Sequence, residues 1–134
     1  MITYREFCAD HMAEVLKIYE SAGWTAYLKD DEKLTRAFKN SLYILGAFDG
    51  ENLIGFVRCV GDGEHIVYVQ DLIVDVEHKR QGIGQALLAK SMEKYADVRM
   101  FTLLTDVSDE VSNAFYRANK MLPYGECSLI GYVR

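Results

Sequence analysis

A glycine-bearing segment at residues 79–86, with the sequence KRQGIGQA, carries the clearest chemical signal in the chain. It follows a strand-like run and opens a stretch with the apolar spacing of a helix. The first turn of a helix presents unpaired N–H groups and a partial positive charge, and glycines let a ligand approach the backbone closely. Lys79 and Arg80 add positive charge at the same place. The pattern therefore predicts a site for a phosphate group.

Two other interpretations of this G-x-G pattern are open. A glycine-rich turn between a strand and a helix needs no ligand at all. Nucleotide binding is the second interpretation, but the chain lacks the G-x-x-x-x-G-K-[ST] signature, and Leu87 stands where the dinucleotide fingerprint needs its third glycine. The pattern alone thus favours a turn or a phosphate site over a nucleotide-binding domain.

Three segments, in order, resemble the GNAT family of N-acetyltransferases. Residues 79–84 are similar to the family's [QR]-x-x-G-x-[GA] motif, with Lys79 at its first position. Residues 70–74 (QDLIV) resemble the E-D-hydrophobic-hydrophobic-V end of its fourth strand, and residues 109–116 resemble its N-x-x-[AS]-x-x-F-Y helix. The likeness extends over nearly the whole chain and implies an acyltransferase that acetylates a primary amine of a small molecule, peptide or protein.

The resemblance implies acetyl-CoA as co-substrate and no metal. In this family the fourth and fifth strands splay apart, and the pantetheine arm pairs with the free edge of the fourth strand like an added strand. The next segment wraps the pyrophosphate. The residues that the resemblance assigns to the cofactor are Leu72, Ile73, Val74, Lys79, Arg80, Gln81, Gly82, Ile83, Gly84 and Gln85.

Tyr116 occupies the family's position for the acid that protonates the departing CoA thiolate, a role that a phenol can fill. Without the resemblance, it would be an aromatic residue beside Phe115 on the flank of a core. The same helix departs from the family pattern, with Asp109 in place of Asn and residues 120–121 (KM) in place of Gly-Phe. Neither change removes the phenol, although the negative charge of Asp109 would repel the phosphates of the cofactor.

The general base stays open. Similar polyamine acetyltransferases have Glu where this chain has Gln70, and a carboxamide cannot accept a proton. Strand alternation predicts that Asp71 points to the opposite face from Gln70, where it would make a structural hydrogen bond or ion pair. Glu20, Glu64, His65 or a chain of water molecules could serve instead. The absence of a base at residue 70 also leaves a second function open, a CoA-binding sensor or regulatory module without catalysis.

An aromatic pair between the first two predicted helices has two interpretations. In the family this connection helps to wall the acceptor pocket, and the rings of Trp24 and Tyr27 would suit a cationic amine. A small satellite core that holds the loop in place is the alternative. The resemblance therefore assigns Trp24 and Tyr27 to acceptor binding, with the packing role left open.

The apolar periodicity predicts an α/β (α+β) fold with one mixed, mostly antiparallel sheet and helices on both faces. Asp10, Asp30 and Ser108 are the predicted N-caps of three helices, and a further helix covers residues 82–95. Residues 49–52 (DGEN) and 61–63 (GDG) are predicted turns. The predicted strands are residues 2–7, 42–48, 53–60, 65–74, 99–104 and 127–133.

Composition limits the remaining possibilities. The chain has 134 residues, which suits a single domain over residues 1–134. A formal net charge of −5 argues against a nucleic-acid surface. Three scattered cysteines predict neither a disulfide framework nor a zinc site. Without a signal-peptide pattern or a membrane-length apolar run, we expect a cytoplasmic protein. A homodimer is the predicted assembly, because the last strand could pair with or exchange into a second copy.

Overall fold

The computed structural model describes residues 1–134 and contains one five-stranded sheet, four α-helices and three short 3-10 segments. The chain divides into two compact units, residues 1–103 and residues 104–134. The strands are β1 (Ile2–Glu6), β2 (Tyr43–Asp49), β3 (Asn52–Gly61), β4 (Ile66–Val74) and β5 (Met100–Leu103), and the helices are α1 (Met12–Ser21), α2 (Asp31–Lys39), α3 (Ile83–Lys94) and α4 (Glu110–Ala118). The 3-10 segments are Thr25–Lys29, Val76–His78 and Tyr124–Cys127.

The first unit holds the whole sheet, in the spatial order β1-β2-β3-β4-β5. The first four strands pair antiparallel, and β5 pairs parallel to β4. Tight turns explain the meander. Gly50 has a φ of +63° between β2 and β3. Between β3 and β4, Asp62 Oδ1 accepts the N–H groups of residues 64–66, which lowers the pKa of Asp62 to about 2.

Alternating side chains divide the core of the first unit between the two faces of the sheet. On one face, the sheet residues Ile44, Phe48, Phe56 and Ile73 pack against apolar residues of α1 and α2. On the other, residues including Leu45, Val57 and Val69 pack against Ile83 and Leu87 of α3. The predicted mixed sheet with helices on both faces is confirmed for this unit.

A β-bulge interrupts the alternation in β4. Arg58 of β3 pairs with Asp71, but the next residue, Cys59, pairs with Val69, so that Gln70 is the extra residue. Val67 and Val69 consequently face α3, whereas residues 71 and 73 face α1 and α2. A bulge bends a strand and increases its twist. The bend lies immediately after the last pair between β4 and β5, Val69↔Leu103.

The second unit contains α4 and the Tyr124–Cys127 segment. Asp109 caps α4, because its Oδ1 accepts the N–H of Ser112 at 3.0 Å. Arg117 forms an ion pair with Glu126, which ties the helix to the following segment. No helix of the protein is both long and apolar enough to span a membrane.

Three local predictions were wrong. Asp10 does not cap α1; its Oδ1 accepts the N–H of Cys8, and the helix begins at Met12. Ser108 is not the cap of α4, since Asp109 is one residue closer to the free N–H of the first turn. The predicted strand at residues 127–133 is absent, because an apolar pattern permits strand pairing but does not by itself specify a partner strand.

Candidate functional site

The connection between β4 and α3 takes the form expected of an anion site. Val76–His78 forms a 3-10 turn after β4, with Asp75 as its cap. Arg80 and Gly82 then adopt left-handed backbone conformations, with φ of +66° and +77°. Gly82 is the N-cap of α3 and has no side chain to bond the N–H groups of the first turn. Those donors therefore remain available to a ligand.

The predicted cofactor residues of this connection divide by exposure. Lys79, Arg80, Gln81, Gly82 and Gln85 are exposed, and Gly84 is half-buried. A Cβ at Gly82 would meet no atom within 4 Å, so the space above the backbone is open. The side chain of Ile83, by contrast, is buried against the sheet. Ile83 can therefore offer a ligand only its backbone N–H.

The second half of β4 carries the other predicted cofactor residues on an edge that no strand covers. Leu72, Ile73 and Val74 pair with β3 on one side. On the other side, pairing with β5 stops at Val69↔Leu103, and β5 ends there. Parallel strands pair through evenly spaced, slanted hydrogen bonds. An extended chain could continue that pattern along residues 70–74.

At the bulge, two adjacent residues of β4 reach the same phenol. Gln70 Nε2 donates to Tyr27 Oη at 2.8 Å, and Tyr27 Oη donates to Asp71 Oδ1 at 2.8 Å. Our expectation that Gln70 and Asp71 point to opposite faces was therefore wrong, because the bulge cancels the simple alternation. The expected structural role of Asp71 is confirmed: its Oδ2 accepts from Arg58 Nε at 2.7 Å and from Tyr19 Oη at 2.6 Å.

Burial dominates the electrostatics of this cluster. Asp71 and Arg58 are almost inaccessible, with side chains 0% and 4% exposed. Burial raises the pKa of Tyr19 and of Tyr27, and the negative charge of Asp71 raises each further. Burial acts to lower the pKa of Arg58, but the charge of Asp71 outweighs it and raises that pKa. At neutral pH both phenols are thus uncharged donors, and Arg58 keeps its positive charge.

The aromatic pair predicted to bind the acceptor stacks on α1. Tyr27 lies over Tyr19 with ring centroids 4.5 Å apart, and Trp24 stacks on Tyr19 at 6.0 Å. Both rings are half-buried against the core under α1 and α2. The packing interpretation accounts for these contacts. The hydroxyl of Tyr27 goes beyond packing, because it reaches β4 at the point where that strand leaves β5.

Tyr116 lies in the second unit, on α4. Its ring is half-buried and makes an edge contact with Phe115 at 5.2 Å. Burial, with a further contribution from the charge of Asp109, raises the pKa of Tyr116. The phenol is therefore protonated throughout the neutral range, which is the state that a proton donor needs.

Sequence reasoning missed two members of the cluster, Tyr19 and Arg58. Tyr19 looks like an ordinary apolar position of an amphipathic helix. Arg58 carried a signal, because it interrupts the apolar run of β3 between Val57 and Cys59. A charged residue in a buried strand requires a buried partner, and Asp71 is the charged residue in the neighbouring buried strand.

Comparison with known proteins connects this geometry to a family. A sequence model described as the acetyltransferase (GNAT) family matches residues 9–120. A 102-residue stretch is 26% identical to an uncharacterized N-acetyltransferase, ycf52, of Gracilaria tenuistipitata var. liui, and covers 72% of this chain and 55% of that protein. The chain thus spans about half the length of this relative.

Solved structures share the fold. An acetyltransferase of the GNAT family from Streptococcus pneumoniae TIGR4 is 32% identical and superposes with a TM-score of 0.87, over 100% of this chain and 97% of that one. The PaiA N-acetyltransferase from Thermoplasma acidophilum, solved in complex with coenzyme A, is 20% identical, with a TM-score of 0.73 over 89% of this chain and 88% of that chain.

Proposed function

Because this chain belongs to the acetyltransferase (GNAT) family, whose model it matches over residues 9–120, we propose that it transfers an acetyl group from acetyl-CoA to an amine. The observation that carries the proposal is the free edge of β4 followed directly by the uncapped N-terminus of α3. One offers backbone groups to an extended amide-containing arm, and the other offers N–H donors to a phosphate.

In this proposal the pantetheine arm lies along Leu72, Ile73 and Val74 and pairs with their backbone as an added strand would. The pyrophosphate rests on residues 80–85, where the first turn of α3, the exposed Arg80 and the adjacent Lys79 favour negative charge. The Thermoplasma acidophilum relative that was solved with coenzyme A has the same fold, which supports coenzyme A as the ligand.

The reaction is a direct acyl transfer. The lone pair of a neutral amine attacks the thioester carbonyl carbon, a C–N bond forms, and the C–S bond breaks. The amine nitrogen loses one proton to solvent, and the CoA thiolate gains one. The family resemblance assigns that second proton to the phenol of Tyr116, whose raised pKa keeps it available.

The acceptor lies, in this proposal, beside the aromatic pair and the bulge. Trp24 and Tyr27 supply ring faces, and the hydroxyl of Tyr27 is already bonded to Gln70. Gln70 cannot act as a base. The same residue is the one observation that favours a second candidate, a CoA-binding regulatory module that carries out no transfer.

The test is a screen for acetyl-CoA-dependent thiol release across a set of amines, with mass spectrometry of the products. We expect stoichiometric release of CoA thiol and addition of one acetyl group to the acceptor. Tight binding of CoA with no acetylated product from any acceptor would favour the regulatory module.

A further inference from the structure

A four-residue hydrogen-bond chain runs from the core to the end of the paired part of β4. Arg58 Nε donates to Asp71 Oδ2, Tyr27 Oη donates to Asp71 Oδ1, and Gln70 Nε2 donates to Tyr27 Oη. All three distances lie between 2.7 and 2.8 Å. This series of hydrogen bonds begins at a buried ion pair and ends at an exposed carboxamide. A fixed charge in the core therefore determines the orientation of a surface group.

The donors and acceptors of this chain allow only one orientation of Gln70. Asp71 is a carboxylate paired with Arg58 and can only accept, so the single proton of the Tyr27 hydroxyl points to Asp71. The oxygen of Tyr27 must then accept from its other neighbour. Gln70 therefore turns its NH₂ group to Tyr27, and its Oε1 atom, which accepts no hydrogen bond from the protein, remains an acceptor on an exposed residue.

The cluster contains no unpaired negative charge that could bind a cationic substrate. Asp71 is the one carboxylate that it contains, and Asp71 already accepts from Arg58, Tyr19 and Tyr27. Arg58 balances its charge at 2.7 Å. An alkylammonium ion that binds beside Gln70 would lose its hydrating water. In exchange it would gain only a neutral carbonyl oxygen and the faces of aromatic rings. A neutral amine would lose much less hydration free energy, and its N–H group could donate a hydrogen bond to Oε1.

The free-energy cost of binding an amine in its unprotonated form depends on the pKa of the conjugate acid of that amine. At pH 7, a lysine-like amine with a pKa of about 10.4 is unprotonated in roughly one molecule in 2,500, whereas an α-amino group, with a pKa of about 8, is unprotonated in roughly one in ten. Arylamines are unprotonated throughout. A site without a base works at full rate only on the weakly basic classes.

We propose that Gln70 determines acceptor specificity: its carbonyl oxygen, oriented by Tyr27 and Asp71, binds an N–H of a neutral nitrogen and selects weakly basic amines over alkylammonium ions. The selected class comprises α-amino groups and arylamines. This inference rests on the proposed acetyl transfer and adds to it the substrate class and the residue that sets it. Asp71 and Arg58 are positioning residues that act through Tyr27.

The first experiment measures kcat/KM for acceptors whose conjugate acids range in pKa from about 5 to 10.5. For each amine we expect the rate to rise with pH up to that amine's own pKa. At pH 7, kcat/KM for weakly basic amines should exceed kcat/KM for alkylamines at least 100-fold. An acid limb at one pH for all amines would reveal a general base and overturn the proposal.

Two variants test the residue itself. Gln70→Glu supplies a carboxylate, so activity on alkylamines at pH 7 should rise at least tenfold relative to activity on arylamines. Tyr27→Phe frees the carboxamide, so KM for a good amine should rise about tenfold, while CoA affinity stays constant. Tyr4→Phe, which removes a phenol on β1, is the matched control. Unchanged selectivity in Gln70→Glu would contradict the assignment.

Two readouts separate this inference from the proposed function. Side-chain ¹H–¹⁵N signals of Gln70 should shift in Tyr27→Phe and on titration with an arylamine in the presence of CoA, with or without turnover. Constant signals in both experiments would overturn the role of Gln70. If the rate of thiol release does not depend on the pKa of the amine, only the proposed selectivity is contradicted. If no amine supports thiol release, the proposed acetyl transfer is contradicted as well.

Discussion

Arg58 and Asp71 face each other across β3 and β4 and form an ion pair inside the core, with Arg58 Nε 2.7 Å from Asp71 Oδ2. They are the last register pair before the bulge at Gln70. A buried ion pair of this kind adds little stability compared with apolar residues of the same size. Its effect here is directional, because the carboxylate fixes the hydroxyl protons of two tyrosines.

Removal of one partner should be severe. Arg58→Met leaves the carboxylate of Asp71 buried without a countercharge, and we expect the free energy of unfolding to fall by about 3–5 kcal/mol. Urea denaturation of the ligand-free protein measures this loss. The double variant Arg58→Met/Asp71→Asn should recover a large part of it, because the uncompensated charge is gone. A loss in the double variant equal to the sum of the two single losses would contradict the coupling.

Trp24 is a test of packing against acceptor binding. Because its ring is half-buried on Tyr19, Trp24→Ala should lower the free energy of unfolding by roughly 2 kcal/mol, less than full burial would imply. Trp24→Phe keeps an aromatic ring and should restore most of that stability. If Trp24 also lines the acceptor site, both variants should raise KM for the amine and leave CoA affinity unchanged. Normal kinetics in a destabilised Trp24→Ala would leave packing as its whole role.

Gly84 lies in the first turn of α3 and tests the phosphate site. Gly84→Glu places a carboxylate where we propose the pyrophosphate binds, and like charges at an interface cost several kcal/mol. CoA affinity should fall at least about 100-fold in a protein that remains folded. Gly125→Glu is the control, since it adds the same charge in the second unit, where a Cβ would meet no atom within 4 Å. Equal CoA affinity in the two variants, measured by calorimetry, would exclude this assignment.

Tyr116 tests the acid. Tyr116→Phe removes the hydroxyl and keeps the ring, so the fold and CoA binding should survive. The chemical step should slow by about 10²–10⁴-fold, the usual contribution of a positioned acid. The change should appear in kcat rather than KM, because the proton is needed only as the C–S bond breaks. Near-normal kcat under conditions where chemistry limits the rate would mean that water protonates the thiolate.

Much of the fold is local and could be predicted. The DGEN turn, the cap at Asp30 and the glycine-opened α3 depend on residues close together in sequence, and the structure has all three. The bulge at Gln70 could not be predicted, because it depends on how β3 pairs with β4. That one register shift also decided which way Asp71 points. The absent C-terminal strand shows the same limit, since its pattern permits pairing but does not supply a partner.

The most direct test of the proposed function is a titration of the ¹⁵N-labelled protein with coenzyme A, followed by backbone amide signals. We predict that the signals of residues 72–74 and 82–85 shift together and saturate with one dissociation constant, while those of β1 remain in place. Hydrogen exchange should slow at Leu72 and Val74, whose N–H groups point away from β3, as the arm pairs with the strand. Saturable binding that leaves both segments unshifted, or no binding at all, would contradict the proposed site on β4 and α3.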